Sequence, residues 1–183
     1  MEYRREIEIP QNVEIRIEGN KIIAKGPLGE TSKEIKHVLL NKEIFFKVEG
    51  NKFIAYSTKS KRKHKAMVGT IIAHVRNLID GVTRGYKYVM KVVYSHFPIK
   101  VEIKEDKVII RNFLGERTPR IAKIVGNVKI EYKEPFLYVR GINIEEVGNT
   151  CNNIEQCLRK RITKFDRRVF QDGIFLIEKG YES

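Results

Sequence analysis

The chain carries 183 residues, 42% of them hydrophobic, and 36 Lys and Arg against 23 Asp and Glu, for a formal net charge of +13. That apolar share excludes a disordered chain, and the length allows one large domain or two small ones. So large a basic surplus on a small folded chain points to a polyanionic partner, nucleic acid first and an anionic membrane surface second.

The N-terminal stretch "MEYRREIEIP" lacks the apolar run of a signal peptide, and no run is long enough to span a bilayer, so a cytoplasmic protein is expected. After it, Val13, Ile15 and Ile17 alternate with Glu14, Arg16 and Glu18, the period of a half-buried strand. Gly19-Asn20 then reads as a two-residue hairpin loop, glycine first as a type II′ turn prefers. A second apolar run ends in "KGPLGE" (Lys25 to Glu30), where Gly26-Pro27 reads as a turn. The tetrapeptide "EGNK" returns at Glu49 to Lys52 between two apolar runs and predicts a second hairpin of the same kind. Next comes "STKSKRKHK" (Ser57 to Lys65), with five Lys/Arg and no acid. Val68, Ile71, Ile72, Val75, Leu78 and Ile79 follow helical spacing, with Gly81 placed as a C-terminal stop.

From there the chain repeats itself. Tyr86 to Tyr94 alternates as a strand leading into the second half. Pro98 then matches Pro10, Val101-Glu102-Ile103 matches Val13-Glu14-Ile15, and Lys107-Val108-Ile109 matches Lys21-Ile22-Ile23. Leu114-Gly115-Glu116 in "NFLGER" falls on Leu28-Gly29-Glu30. "VKIEYKEPFLYV" (Val128 to Val139) lies opposite "FKVEGNKFIAY" (Phe46 to Tyr56). Val147, Cys151, Ile154, Leu158 and Ile162 then give a second helical stripe, in phase with the first. Features that correspond in the same order predict an α+β protein of two tandem similar domains, each an antiparallel sheet packed on one long helix. The boundary is placed at about Arg84, giving domains 1–84 and 85–183. Both cysteines, Cys151 and Cys157, sit on or beside the second stripe and outside any CxxC pair, so they are expected as core residues rather than a disulfide or zinc site.

Three basic clusters are candidate phosphate contacts. The first holds Lys61, Arg62 and Lys63 beside the first helix. The second gathers Arg111, Arg117, Arg120 and Lys123 around the second Leu-Gly-Glu corner. The third is "RKRITKFDRR", with Arg159, Lys160, Arg161, Lys164, Arg167 and Arg168 and one acid. The structural alternative is a solvated face for the first. For the third it is partial compensation of a helix dipole, although six basic side chains exceed that need. No phosphate-cradling Gly-Lys-Ser/Thr end, metal-ligand histidine spacing or GxSxG elbow is found, so neither catalytic residues nor a cofactor is expected.

"HVRNLIDGVTRGYKYVMKVVYSHFPIKVEI", "IRNFLGE" and the closing "DRRVFQDGIFLIEKG" (Asp166 to Gly180) resemble the universal large-subunit ribosomal protein number six family, in its archaeal and eukaryotic branch. The similarity covers nearly the whole chain. Val169 stands where that branch carries a basic residue, and the lysine-rich tail of bacterial members is missing. The resemblance implies a structural component of the large ribosomal subunit with no chemistry of its own. It also implies binding to large-subunit ribosomal RNA near the sarcin–ricin loop and stalk base, mainly through the second domain, beneath the region where translation factors dock. Neighbouring large-subunit proteins, those of the stalk base among them, would be its partners, with no membrane and no DNA. By position, Arg168 is expected at phosphate, Phe170 in the core and Asp172-Gly173 in a turn. The residues taken alone leave two rivals open: an RNA-modifying or RNA-cleaving enzyme, and a tandem protein-interaction module whose charge serves solubility.

Overall fold

Two-residue turns fix the strand registers. Glu18 pairs with Lys21 and Glu49 with Lys52, leaving Gly19-Asn20 and Gly50-Asn51 as loops. Gly19 has φ +60° and Gly50 has φ +57°, the left-handed conformation that the first loop residue of a type II′ turn needs and glycine adopts without strain. The computed structural model describes residues 3–159, 166 and 168–182. It divides into two units, Met1–Gly85 and Tyr86–Ser183.

The first unit runs β1 (Tyr3–Glu8), β2 (Glu14–Glu18), β3 (Lys21–Gly26), β4 (Gly29–Glu34), β5 (Ile44–Glu49), β6 (Lys52–Ser57) and α1 (Arg62–Thr83). Its strands form two antiparallel sheets, ordered β2-β3-β4 and β1-β6-β5. The alternation read from sequence selects the inward faces: Ile22 and Ala24 of β3 and Phe53 and Ala55 of β6 bury against Val68, Ile71 and Val75 of α1. The helix does not stop at Gly81. That residue is buried inside α1, and the chain leaves the helix at Gly85, whose φ of +67° lets its N–H bond back to the Asp80 and Gly81 carbonyls. Gly85, not Gly81, is therefore the terminating glycine.

The second unit repeats this order: β7 (Tyr86–Val93), β8 (Lys100–Lys104), β9 (Lys107–Arg111), β10 (Arg120–Lys123), β11 (Lys129–Lys133), β12 (Phe136–Gly141) and α2 (Ile144–Arg159). The strand expected over 86–94 forms as β7 and takes the place β1 has in the first unit. β8-β9-β10 form one sheet and β11-β12-β7 the other. One strand has no counterpart: β13 (Gly173–Tyr181), which pairs along the free edge of β7. Val108, Ile110, Met90, Leu137 and Val139 bury against Val147, Cys151, Ile154 and Leu158. Burial pushes the Cys151 thiol up to about 12, so it is an inert core group. The fold class is thus α+β in tandem, with two sheets per unit packed on the apolar face of one helix.

The two Leu-Gly-Glu corners occupy the same place in the topology and differ in build. The first closes tightly, Gly26 pairing with Gly29. A Cβ on Gly26 would stand 2.7 Å from Val82 Cγ2, so only glycine lets α1 approach. Leu28 N–H donates to the Val82 carbonyl of the last turn of α1 at 3.0 Å. The second corner is longer, turning through Asn112, Leu114 and Gly115 at positive φ, with Phe113 and Leu114 buried.

The two helix starts also differ. α2 is capped by Asn143, whose Oδ1 accepts from Glu145 N–H at 3.0 Å, and Glu145 and Glu146 lie in its first turn. Glu146 also accepts from Asn127 N–H at 3.1 Å. α1 begins after Lys61 with no side-chain cap and no acid in its first turn. Replacing Asn143 by Ala should cost about 1 kcal/mol of stability, seen as a lower urea midpoint with the slope of the transition unchanged.

Candidate nucleic-acid interface

The second corner and the end of α2 are joined through one guanidinium. Arg120 opens β10 with its side chain 13% exposed and grips Glu116 twice, Nε to Oε2 at 2.7 Å and Nη2 to Oε1 at 2.6 Å. Its Nη1 donates to the Cys157 carbonyl near the end of α2 at 2.7 Å, and its Cζ lies 4.9 Å from the centre of the Phe113 ring. Each contact uses the planar, always-charged fork of arginine. The Glu116 carboxyl is held below its usual value by the bond from Arg120. Arg120, read from sequence as a phosphate contact, therefore has internal partners that bring two basic clusters side by side.

Around that brace the remaining cations point outward. Arg111 is half-exposed, 3.5 Å from Glu102. Arg117 is exposed and enters no ion pair among the described residues. Arg159 ends α2, 48% exposed, with Glu155 one turn back at 3.6 Å. Arg168 is 89% exposed and lies on Asp166, Nη2 to Oδ2 at 2.7 Å. Both described arginines of the third cluster thus carry an acidic partner while staying at the surface. Such exposed pairs hold weakly and exchange readily for phosphate. Lys160, Arg161, Lys164 and Arg167 lie outside the described residues.

The C-terminal motif packs on the core of the same unit. The Asp166 carboxylate accepts from Arg168 N–H at 2.9 Å, and its carbonyl accepts from Phe170 N–H at 2.8 Å. Phe170 packs half-buried on the core, its ring edge-on to His96. Asp172 is buried with no hydrogen-bond partner for either carboxylate oxygen among the described residues.

In the first unit, Lys61, Arg62 and Lys63 are exposed at the start of α1 and enter no ion pair among the described residues. Cations there oppose the helix dipole, and the uncapped amide groups add to the positive field. Sequence reading missed what holds this end in place. Glu43 accepts from the buried His64 Nε2 side at 2.5 Å and also bonds Lys59. These bonds, His64 first, hold the Glu43 carboxyl at about 2. The pairing spans 21 positions, so no local pattern announces it. Among the described residues no cluster of His, Cys, Asp and Glu is arranged to hold a metal ion.

The sequence model of the family described as "Ribosomal protein L6" matches residues 9–85 and 97–173, once in each unit. Curated relatives align along nearly the full chain. The protein of Methanothrix thermoacetophila called large ribosomal subunit protein uL6 is 49% identical over 175 residues, 96% of each chain. Proteins of the same name from Archaeoglobus fulgidus and Desulfurococcus amylolyticus are each 46% identical, covering 96% and 95% of this chain and 89% and 93% of their own lengths.

Two outcomes follow from the geometry. Arg120→Ala leaves Glu116 without its partner and should lower stability by about 2 kcal/mol in urea unfolding, with Arg120→Lys restoring only part. The Glu43 carboxyl titrates lower in the folded state than its ordinary 4.5. Its stabilisation is therefore complete above that value and lost as pH falls toward about 2. Calorimetry across that window should show a shallower fall in Tm for Glu43→Gln than for the unaltered chain.

Proposed function

The chain belongs to the ribosomal protein L6 family, and from that premise we propose that it is a structural constituent of the large ribosomal subunit, bound to large-subunit ribosomal RNA. It is a scaffold and not an enzyme. Its working place is the ribosome in the cytoplasm, with neighbouring large-subunit proteins beside it. The finer reading is that the second unit carries the main contact, near the sarcin–ricin loop and the stalk base, where it braces RNA beneath the site of translation-factor docking.

The observation that carries this reading is the Arg120 brace. It sets the Arg111 and Arg117 corner against the end of α2, where Arg159 begins the third cluster. Two groups of cations far apart in sequence thereby form one fixed array on a rigid base. Recognition by such an array is of shape and phosphate spacing, with affinity set by counterion release. Lys61, Arg62 and Lys63 add a second, smaller array on the first unit.

The test is binding to a large-subunit RNA fragment as a function of salt. Replacing Arg159, Arg161 and Arg168 together by Ala should weaken binding. It should also flatten the slope of log K against log salt by roughly two to three, at close to one per lost phosphate contact. An unchanged slope would remove that cluster from the interface.

A further inference from the structure

We propose that the open face of the four-stranded sheet in the second unit binds an unpaired RNA segment, its bases stacked on Phe136 and Tyr138 and its phosphates met by the lysines around them; the class of partner rests on the ribosomal reading above. Strand parity defines this face. Met90, Val92, Leu137, Val139 and Ile174 point into the core toward α2, so their strand neighbours point the other way. Phe136 lies in the ladder between Lys91 of β7 and Lys133 of β11. Tyr138, two positions on, lies between Val89 and Glu131, with Lys87 Nζ 5.3 Å from its ring centre. Next along, Arg140 lies between Lys87 and Lys129. Phe136 and Tyr138 are half-buried, and Arg140 Cζ also lies 6.0 Å from the Tyr138 ring centre. Side chains two apart on a strand are separated by about 7 Å, a spacing that suits successive bases. Phe175 of β13 extends the aromatic row beyond Lys91 and is 36% exposed.

The duplication supplies an internal control. The matching face of the first unit carries three cations, Arg4, Lys47 and Lys52, against three carboxylates, Glu6, Glu8 and Glu49. It neutralises itself: Arg4 and Lys52 both reach Glu6, at 3.1 and 2.8 Å, and Lys47 reaches Glu49 at 2.5 Å. Its aromatic pair, Phe45 and Tyr56, stack on each other at 5.7 Å. The face on the second unit has five cations in its ladder against Glu131 and Glu178. Glu182, beyond β13, also reaches Arg140, at 3.5 Å. Lys87, Lys91 and Lys129 enter no ion pair among the described residues. One architecture has thus been kept neutral in one copy and left cationic, with aromatic rings between the charges, in the other. Cations interleaved with ring faces suit a strand offering both phosphates and open base faces. A duplex hides its base faces, and an acidic protein segment supplies none.

The chain has no Trp, so Phe136→Trp creates a single reporter on this face. Titration of the full-length variant with an unstructured oligouridylate should quench the tryptophan saturably. An RNA duplex of equal phosphate number should leave it bright, and adding Lys91→Gln and Lys129→Gln should weaken the oligouridylate on the order of tenfold. No quenching by the single strand, equal quenching by the duplex, or quenching by polyglutamate instead would overturn the proposal, the last assigning the face to an acidic protein. In the chain that keeps Phe136, Tyr138→Ala should weaken an oligonucleotide carrying a fluorescent base, again on the order of tenfold; unchanged affinity would likewise overturn it. Binding of the large-subunit RNA fragment is measured in parallel. If the fragment still binds while the oligonucleotide does not, only the sheet-face proposal falls. If neither binds the unaltered chain, the ribosomal reading falls with it.

Discussion

A guanidinium held between a carboxylate, a helix carbonyl and an aromatic ring is the contact on which the second unit's surface depends. Arg120 could have been one more cation facing solvent. Instead it spends its donors on Glu116 and the Cys157 carbonyl, and the array it organises is made by others. The first unit solves the same problem with backbone alone, the Leu28 N–H reaching the Val82 carbonyl. In both copies the corner is tied to a carbonyl near the end of its helix, where α-helices leave acceptors unfilled. The tie is direct through Leu28 in the first unit and runs through Arg120, held by Glu116, in the second. That shared need gives the recurrence of the corner a physical cause.

Charge is distributed with the same economy. Where the fold needs neutrality it provides carboxylates: Glu145 and Glu146 at the start of α2, Glu43 beneath α1, and the ion-paired sheet face of the first unit. Among the described residues, the cations that stand without such partners include Lys61, Arg62, Lys63 and Arg117 and, on the sheet face of the second unit, Lys87, Lys91 and Lys129, and nothing in folding asks for them. A helix start flanked by cations is unfavourable to the isolated chain and favourable once an anion arrives. The basic surplus is therefore carried by surface cations that folding leaves available to an anion.

Much of the fold was legible because it rests on local chemistry. Gly19 and Gly50 mark type II′ turns, and alternation along 13–18 and 86–94 marks strands, because both signals act within a few residues. The helical stripes placed Val68, Ile71 and Val75, and Val147, Cys151 and Ile154, where they bury. Gly81 misled because a glycine beside a stripe signals either a stop or a close approach, and the stop lay four residues on, at Gly85. The division of the strands into two sheets in each unit was not legible, since alternation gives faces and not partners. Nor were the jobs of Glu116, Glu43 and Arg120. Glu116 and Arg120 are four apart across the loop that leads into β10, where that spacing carries no helical meaning, and Glu43 meets His64 across 21 positions. The sheet face of the second unit was hidden in plain alternation, its aromatics and lysines readable only once cross-strand register set them side by side.

The central claim is that the second corner and the end of α2 present one continuous surface to RNA. The most direct measurement places a photoactivatable cross-linker at position 117 in one sample and at 159 in another, within assembled large subunits, and maps the attachment sites. The account predicts that both positions mark the same short stretch of ribosomal RNA. Cross-links from the two positions to unrelated stretches, or to protein alone, would contradict it.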